Sequence, residues 1–126
     1  MANSALSITK KERLSVIDWL IDYFPSAFFK KSHEVRPLKI GILNDILEFY
    51  DRLEAPTFSK KKIRDAVSFY SSSPAYLSNH KEGSARIDLF GNEVDVVTHE
   101  QAHYASQRFQ ERYLAKHQKT KDDAQS

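Results

Sequence analysis

The chain has 126 residues, 40% hydrophobic and 29% charged, and a net charge of +2. That length supports one domain with a single core, and the balance is that of a globular protein rather than a disordered tail. The lack of cysteine excludes a disulfide framework and a thiolate metal site. No stretch approaches the roughly 18 apolar residues of a membrane span, and residues 1–10 lack the apolar run of a secretory signal. The expected location is the cytoplasm.

The charge is unevenly spread. Residues 1–64 hold 12 Lys and Arg against 8 Asp and Glu, whereas residues 65–126 hold 7 against 9. Such asymmetry points to one positive surface, not to a uniform basic coat.

Thr9 followed by Glu12 has the form of a capping box. Leu14, Ile17, Leu20 or Ile21, and Phe24 then recur at helical spacing, predicting a helix over about 9–23 that stops before Pro25. Residues 25–29 read as one short turn with Phe28 and Phe29 as core plugs, and 30–37 as a polar loop. Two apolar rows over 38–52 (Ile40, Leu43, Leu47, Tyr50 and Ile42, Ile46, Phe49, Leu53) predict a mostly buried, central helix. Ser59 caps a third helix to about Tyr70, with Ile63, Ala66, Val67 and Tyr70 on its apolar face. Ser73-Pro74 opens a short helix to about Asn79, by its cap and its N1 proline. Alternation over 86–90, the Gly91-Asn92 pair and residues 94–97 predict a hairpin. Thr98 and Gln101 cap a last, surface-lying helix to about Lys116 or His117. The expected fold is α+β and mainly α-helical, with about five helices and a short β-hairpin before the last. Residues 1–8 and 118–126 are expected to be disordered, around a single domain over 9–117.

His99-Glu100-Gln101-Ala102-His103 matches H-E-x-x-H, which on a helix places two imidazoles four residues apart with a glutamate to activate water. A zinc hydrolase also needs a third ligand. The continuation offers Ser106 and Phe109 where one metal-protease pattern needs Gly and His, and the chain ends soon after. Three scattered glycines cannot cradle a nucleotide phosphate, and there is no Gly-x-Ser-x-Gly elbow. The chain is read as no enzyme, with no cofactor and no metal.

Cationic and serine-rich segments carry more. Lys60, Lys61, Lys62 and Arg64 crowd a helix start, where cations oppose the macrodipole, and Lys60 and Arg64 share one face. Ser71, Ser72 and Ser73 lead into the next helix, where hydroxyls and unpaired backbone N–H groups can meet an anion. Tyr76 follows on its first turn, either buried or free to stack on a base, and Arg86 starts the hairpin. With Arg36 and Lys39, these groups suit an anionic ligand that also has flat faces, which describes RNA.

From about Val16 to Asn92 these segments resemble the ProQ/FinO family of bacterial RNA chaperones. The resemblance runs through Phe24-Pro25, Arg36-Pro37-Leu38-Lys39-Ile40-Gly41, Ser59-Lys60, Ile63-Arg64, Tyr70, Ser72-Ser73, Tyr76-Leu77, and Arg86 with Asp88, Gly91 and Asn92. It implies a concave face that binds structured RNA, small RNAs and mRNA 3′ ends, at terminator-like stem-loops with a uridine-rich 3′ tail. The 3′ nucleotides would enter a pocket made by the serine-capped helix start (Ser71, Ser72, Ser73) with Tyr76 and Arg86. Arg36, Lys39, Lys60 and Arg64, with Lys61 added, would lie against the stem or support that face. Pro74, Ala75 and Ser68 depart from the family pattern, replacing residues that are cationic or aromatic in a relative. The implied protein is a monomeric RNA chaperone in post-transcriptional regulation by small RNAs, without a membrane partner. Replacing Tyr76 or Arg86 by Ala is expected to weaken binding with little loss of fold. The alternatives are a zinc hydrolase on His99, Glu100 and His103, and a double-stranded DNA-binding module reading with helix 60–70.

Overall fold

The structure, a computed structural model, describes residues 8–114. The expectations for residues 1–7 and for everything beyond 114 lie outside the described residues. In chain order the elements are α1 (Lys10–Tyr23), a 3-10 turn (Ser32–Glu34), α2 (Ile42–Asp51), α3 (Lys60–Ser71), α4 (Pro74–Ser78), β1 (Ala85–Ile87), β2 (Glu93–Val96) and α5 (His99–Phe109). A π-turn over Gln110–Leu114 follows α5. The five helices and the antiparallel pair ahead of the last helix are those the sequence predicts.

The caps act as read. Thr9, Ser59, Ser73 and Thr98 each accept a hydrogen bond from the backbone N–H three residues on. At Thr98 the box is reciprocal, since Gln101 Oε1 accepts from the Thr98 N–H at 3.0 Å. α1 packs along α3, burying Val16 and Leu20 against Ile63, Ala66 and Val67. The turn after α1 inserts Phe24, Ala27 and Phe28 into the same core.

Three core tyrosines pin the loops. The hydroxyls of Tyr50, Tyr70 and Tyr76 accept from the backbone N–H of Phe58, Phe29 and Leu38, each at 3.0 Å. A buried N–H without such a partner would cost about 1–3 kcal/mol. The aromatic bodies meanwhile fill the core, so one residue type supplies both apolar bulk and a polar tip.

The second helix departs from its sequence reading. It begins at Ile42, not Leu38, because residues 37–39 pair with β1 instead. The Lys39 N–H donates to Ile87 O at 2.8 Å, and the Ile87 N–H donates to Pro37 O at 3.0 Å. Gly41, at φ +87°, then turns the chain into the helix. Ile40, placed in an apolar row, is 62% exposed. Only Ile42, Ile46 and Tyr50 of α2 are fully buried, so it borders the core rather than crossing its centre.

The hairpin turn is held by Asp88, whose Oδ1 accepts from the N–H groups of Phe90 and Asn92, both at 2.9 Å. These hydrogen bonds to the ionised form outweigh its partial desolvation and keep the Asp88 pKa below the usual carboxylate range. Ile87 and Leu89 point into the core as their alternation predicts. Arg86, on the opposite face of β1, is buried too, because α5 covers that side.

Candidate nucleic-acid interface

Arg86 is the centre of the site. Its side chain is only 6% exposed and reaches three elements. Nη1 donates to the Leu38 carbonyl at 2.9 Å, and Nη2 donates to Gln101 Oε1 at 3.1 Å and to His80 Nε2 at 3.0 Å. A guanidinium only donates, so His80 Nε2 must be the acceptor and the ring proton sits on Nδ1. Burial, reinforced by the Arg86 charge, pushes the His80 pKa down to about 4, which keeps the ring neutral. Among the described residues no carboxylate lies in ion-pair reach of Arg86, and Arg86 Nε and His80 Nδ1 have no hydrogen-bond partner. Buried charges are ordinarily paired. Among the described residues this one is solvated only by a carbonyl, an amide and an imidazole.

Tyr76 binds the other side of the same strand segment, its hydroxyl accepting from Leu38 N while Arg86 donates to Leu38 O. Tyr76 and Arg86 therefore grip one residue from both of its backbone groups. They also line one cavity of about 350 Å³, with Ser71, Leu77, His80, Glu100, Gln101, Tyr104 and Ala105. At 7% exposure the Tyr76 ring lies between Tyr70 and His80, so it is a wall and not an open stacking face. Both residues are thus structural as well as cavity-lining. The expectation that Ala replacement leaves the fold intact does not hold for groups so buried and bonded.

The three serines do not gather at one point. The Ser71 hydroxyl donates back to Val67 O at 2.9 Å, at the end of α3 beside the Arg86 cavity. Ser72 and Ser73 line a separate cavity of about 350 Å³ with Arg13, Asp65, Phe69 and Arg112. The Ser73 hydroxyl is occupied as the α4 cap, and Ser72 O accepts from the Tyr113 hydroxyl at 2.7 Å. The N–H groups of Ser72 and Ser73 donate to Phe69 O and Tyr70 O.

The basic residues divide into paired and open ones. Lys39 bonds Asp45 at 2.8 Å, Lys60 bonds Asp51 at 2.7 Å, and Arg36 lies 3.7 Å from Glu93. The Asp45 carboxylate raises the Lys39 pKa, so that ammonium stays charged. Lys61 and Arg64 are exposed and have no ion-pair partner among the described residues. Lys60, Arg64, Ser68 and Ser71 follow one face of α3 at i, i+4, i+8 and i+11, a row about 16 Å long. It runs from the cationic first turn to the lip of the Arg86 cavity.

Sequence reasoning missed His80, Gln101 and Tyr104. Gln101 was legible as a cap, but nothing local shows that its carbonyl also holds Arg86. His99 and His103 are exposed on α5, His99 Nδ1 lying 3.5 Å from Glu82, and no group of three metal-binding side chains occurs among the described residues.

A family model described as ProQ/FINO matches residues 10–123. The RNA chaperone ProQ of Aeromonas salmonicida (strain A449) is 37% identical over 102 residues, covering 80% of this chain and 47% of that protein. That of Alteromonas mediterranea is 40% identical over 96 residues, covering 76% and 42%. The chain thus spans about half the length of the curated relatives it matches. The solution structure of a ProQ homolog from Legionella pneumophila is 64% identical, with a TM-score of 0.74 over 85% of this chain and 88% of that one. A FinO-like RNA chaperone from Neisseria meningitidis MC58 is 22% identical, with a TM-score of 0.61 over 92% of this chain and 84% of that one, a likeness of fold alone. With a family model matching most of its length and a fold shared with the Legionella homolog, this chain belongs to the ProQ/FINO family.

Proposed function

We propose that this protein is an RNA-binding module of the chaperone type that takes hold of the 3′ end of terminator-like stem-loops. It acts in the cytoplasm, as a monomer and without enzymatic chemistry, in regulation by small RNAs. The observation that carries this reading is Arg86, a buried guanidinium at the wall of an open cavity, with no carboxylate in ion-pair reach among the described residues. A phosphate near a single-stranded 3′ end supplies the missing counter-charge, and the row from Ser71 back to Lys60 gives the preceding backbone a cationic path. The A-form stem is bound by shape and phosphate, since its deep major groove admits no side chains. The relatives named as RNA chaperones support the same reading.

Lys61 and Arg64 meet phosphates directly. Arg36, Lys39 and Lys60 exchange their present carboxylates for phosphates at little cost, because exposed ion pairs are worth about 0–1 kcal/mol. With these five cations and Arg86 on phosphates, log K falls with log[salt] at a slope of about −4 to −5. The test is fluorescence anisotropy with a labelled stem-loop carrying a uridine tail, against the same stem cut flush. Weaker binding of the flush stem by at least tenfold is expected. Equal binding would leave only a basic surface and refute the end-recognition reading. Tight competition by duplex DNA would favour the DNA-binding alternative.

A further inference from the structure

A cavity that receives a nucleotide needs a flat surface for the base, and Tyr76 is too buried to supply one. The exposed ring on this cavity is Tyr104 of α5, 63% exposed, without a side-chain hydrogen bond among the described residues. Glu100 lies four residues earlier on the same helix and lines the same cavity, so the two side chains stand one above the other. Its carboxylate is exposed and unpaired among the described residues. The cavity wall therefore carries three kinds of group: a guanidinium that only donates, a carboxylate that only accepts, and an open aromatic face. A nucleotide has the complements of all three, in its phosphate, its ribose hydroxyls and its base.

Resting on the RNA reading above, we infer that Tyr104 stacks on the terminal base and that Glu100 accepts from the terminal ribose hydroxyls. The acidic group sits where an additional phosphate on the last sugar would meet like charge, whereas the internal phosphate falls to Arg86. α5 thus reads the last nucleotide, while Arg86 and α3 hold the backbone behind it. Stacking is indifferent to base identity, so Tyr104 contributes affinity without a code.

The test uses one stem-loop in three forms: a tail ending in an ordinary uridine, in an abasic residue, or in a uridine 3′-phosphate. Tyr104→Ala should weaken binding of the first form about five- to tenfold. It should leave the abasic form unchanged, and Tyr104→Trp should restore the loss. Glu100→Gln should shrink the preference for the hydroxyl end over the phosphate end. Both side chains are exposed, so urea midpoints should stay at the wild-type value. If wild type still requires the tail but Tyr104→Ala matches it on all three forms, or loses the same factor on the ordinary and abasic ends, the stacking assignment fails while end recognition stands. An unchanged preference between hydroxyl and phosphate ends in Glu100→Gln overturns the role given to that carboxylate. Wild type indifferent to the tail itself would sink the reading on which both rest.

Discussion

His80 should make this protein acid-sensitive well above the pH at which its carboxylates protonate. The ring is 9% exposed, accepts from Arg86 through Nε2, and has its pKa lowered from 6.5 to about 4. The causes are burial first and the Arg86 charge second. In the unfolded chain the imidazole takes a proton near pH 6.5, while the folded chain resists until about pH 4. The unfolded state therefore binds more protons between those values, and folding stability must fall as pH drops through that window. At 1.36 kcal/mol per pH unit, the loss should be about 2 kcal/mol by pH 5 and about 3 kcal/mol by pH 4. Against a typical domain stability of about 5–15 kcal/mol, that is readily measured.

Lys81 and Glu82 border the groove behind His80, and Glu100 lines the cavity in front, so these charges also face it. Urea unfolding at pH 7.5, 6, 5 and 4.5 should be compared with His80→Gln, whose amide oxygen can accept from Arg86 but does not titrate. The wild-type loss down to pH 5 should exceed that of the variant by about 2 kcal/mol. Parallel profiles, or an NMR titration placing His80 near 6.5, would show that the ring is solvated and the reasoning mistaken. Glu12 and Asp88, with pKa values held low, also lose their contribution as pH falls, but at lower pH. Their contribution is complete above the ordinary carboxylate range and disappears only at more acid pH, so they do not blur the window above pH 5.

Tyr76→Phe removes only the hydroxyl that holds the Leu38 N–H, and should cost about 1–3 kcal/mol in urea unfolding. Tyr76→Ala also empties part of the core and should cost about 3–5 kcal/mol, so RNA titrations on it must be corrected for the unfolded fraction. Gly91→Ala places a Cβ 3.0 Å from Ser26 Cβ at φ +83°, and should destabilise by about 2 kcal/mol, read as a lowered thermal midpoint. Lys61→Glu with Arg64→Glu should leave the melting curve within about 0.5 kcal/mol of wild type. The same pair should reduce the magnitude of the salt slope of RNA binding by about 2, and an unchanged slope would remove both residues from the interface.

Local chemistry made most of the elements readable. The caps at Thr9, Ser59, Ser73 and Thr98 and the row Ile63, Ala66, Val67, Tyr70 depend on neighbours within one or two helical turns, and sequence spacing displays those directly. So does the turn at Asp88, Gly91 and Asn92. The start of α2 was misread because residues 37–39 satisfy their backbone through Ile87, some fifty positions away in the chain. An apolar period cannot report such a competing partner.

The site followed the same division. The sequence determined which residues carry charge, hydroxyl and ring, and its pattern placed the chain in its family. Only the tertiary structure decided that Ser71 stands with Tyr76 and Arg86 while Ser72 and Ser73 face another cavity. It also turned Tyr76 inward and left Tyr104 open. Spacing sets which side chains share one element's face, whereas exposure depends on what other elements pack over it. At Arg86 that packing joins Leu38, His80 and Gln101 around one charge, an arrangement no stretch of the chain contains by itself.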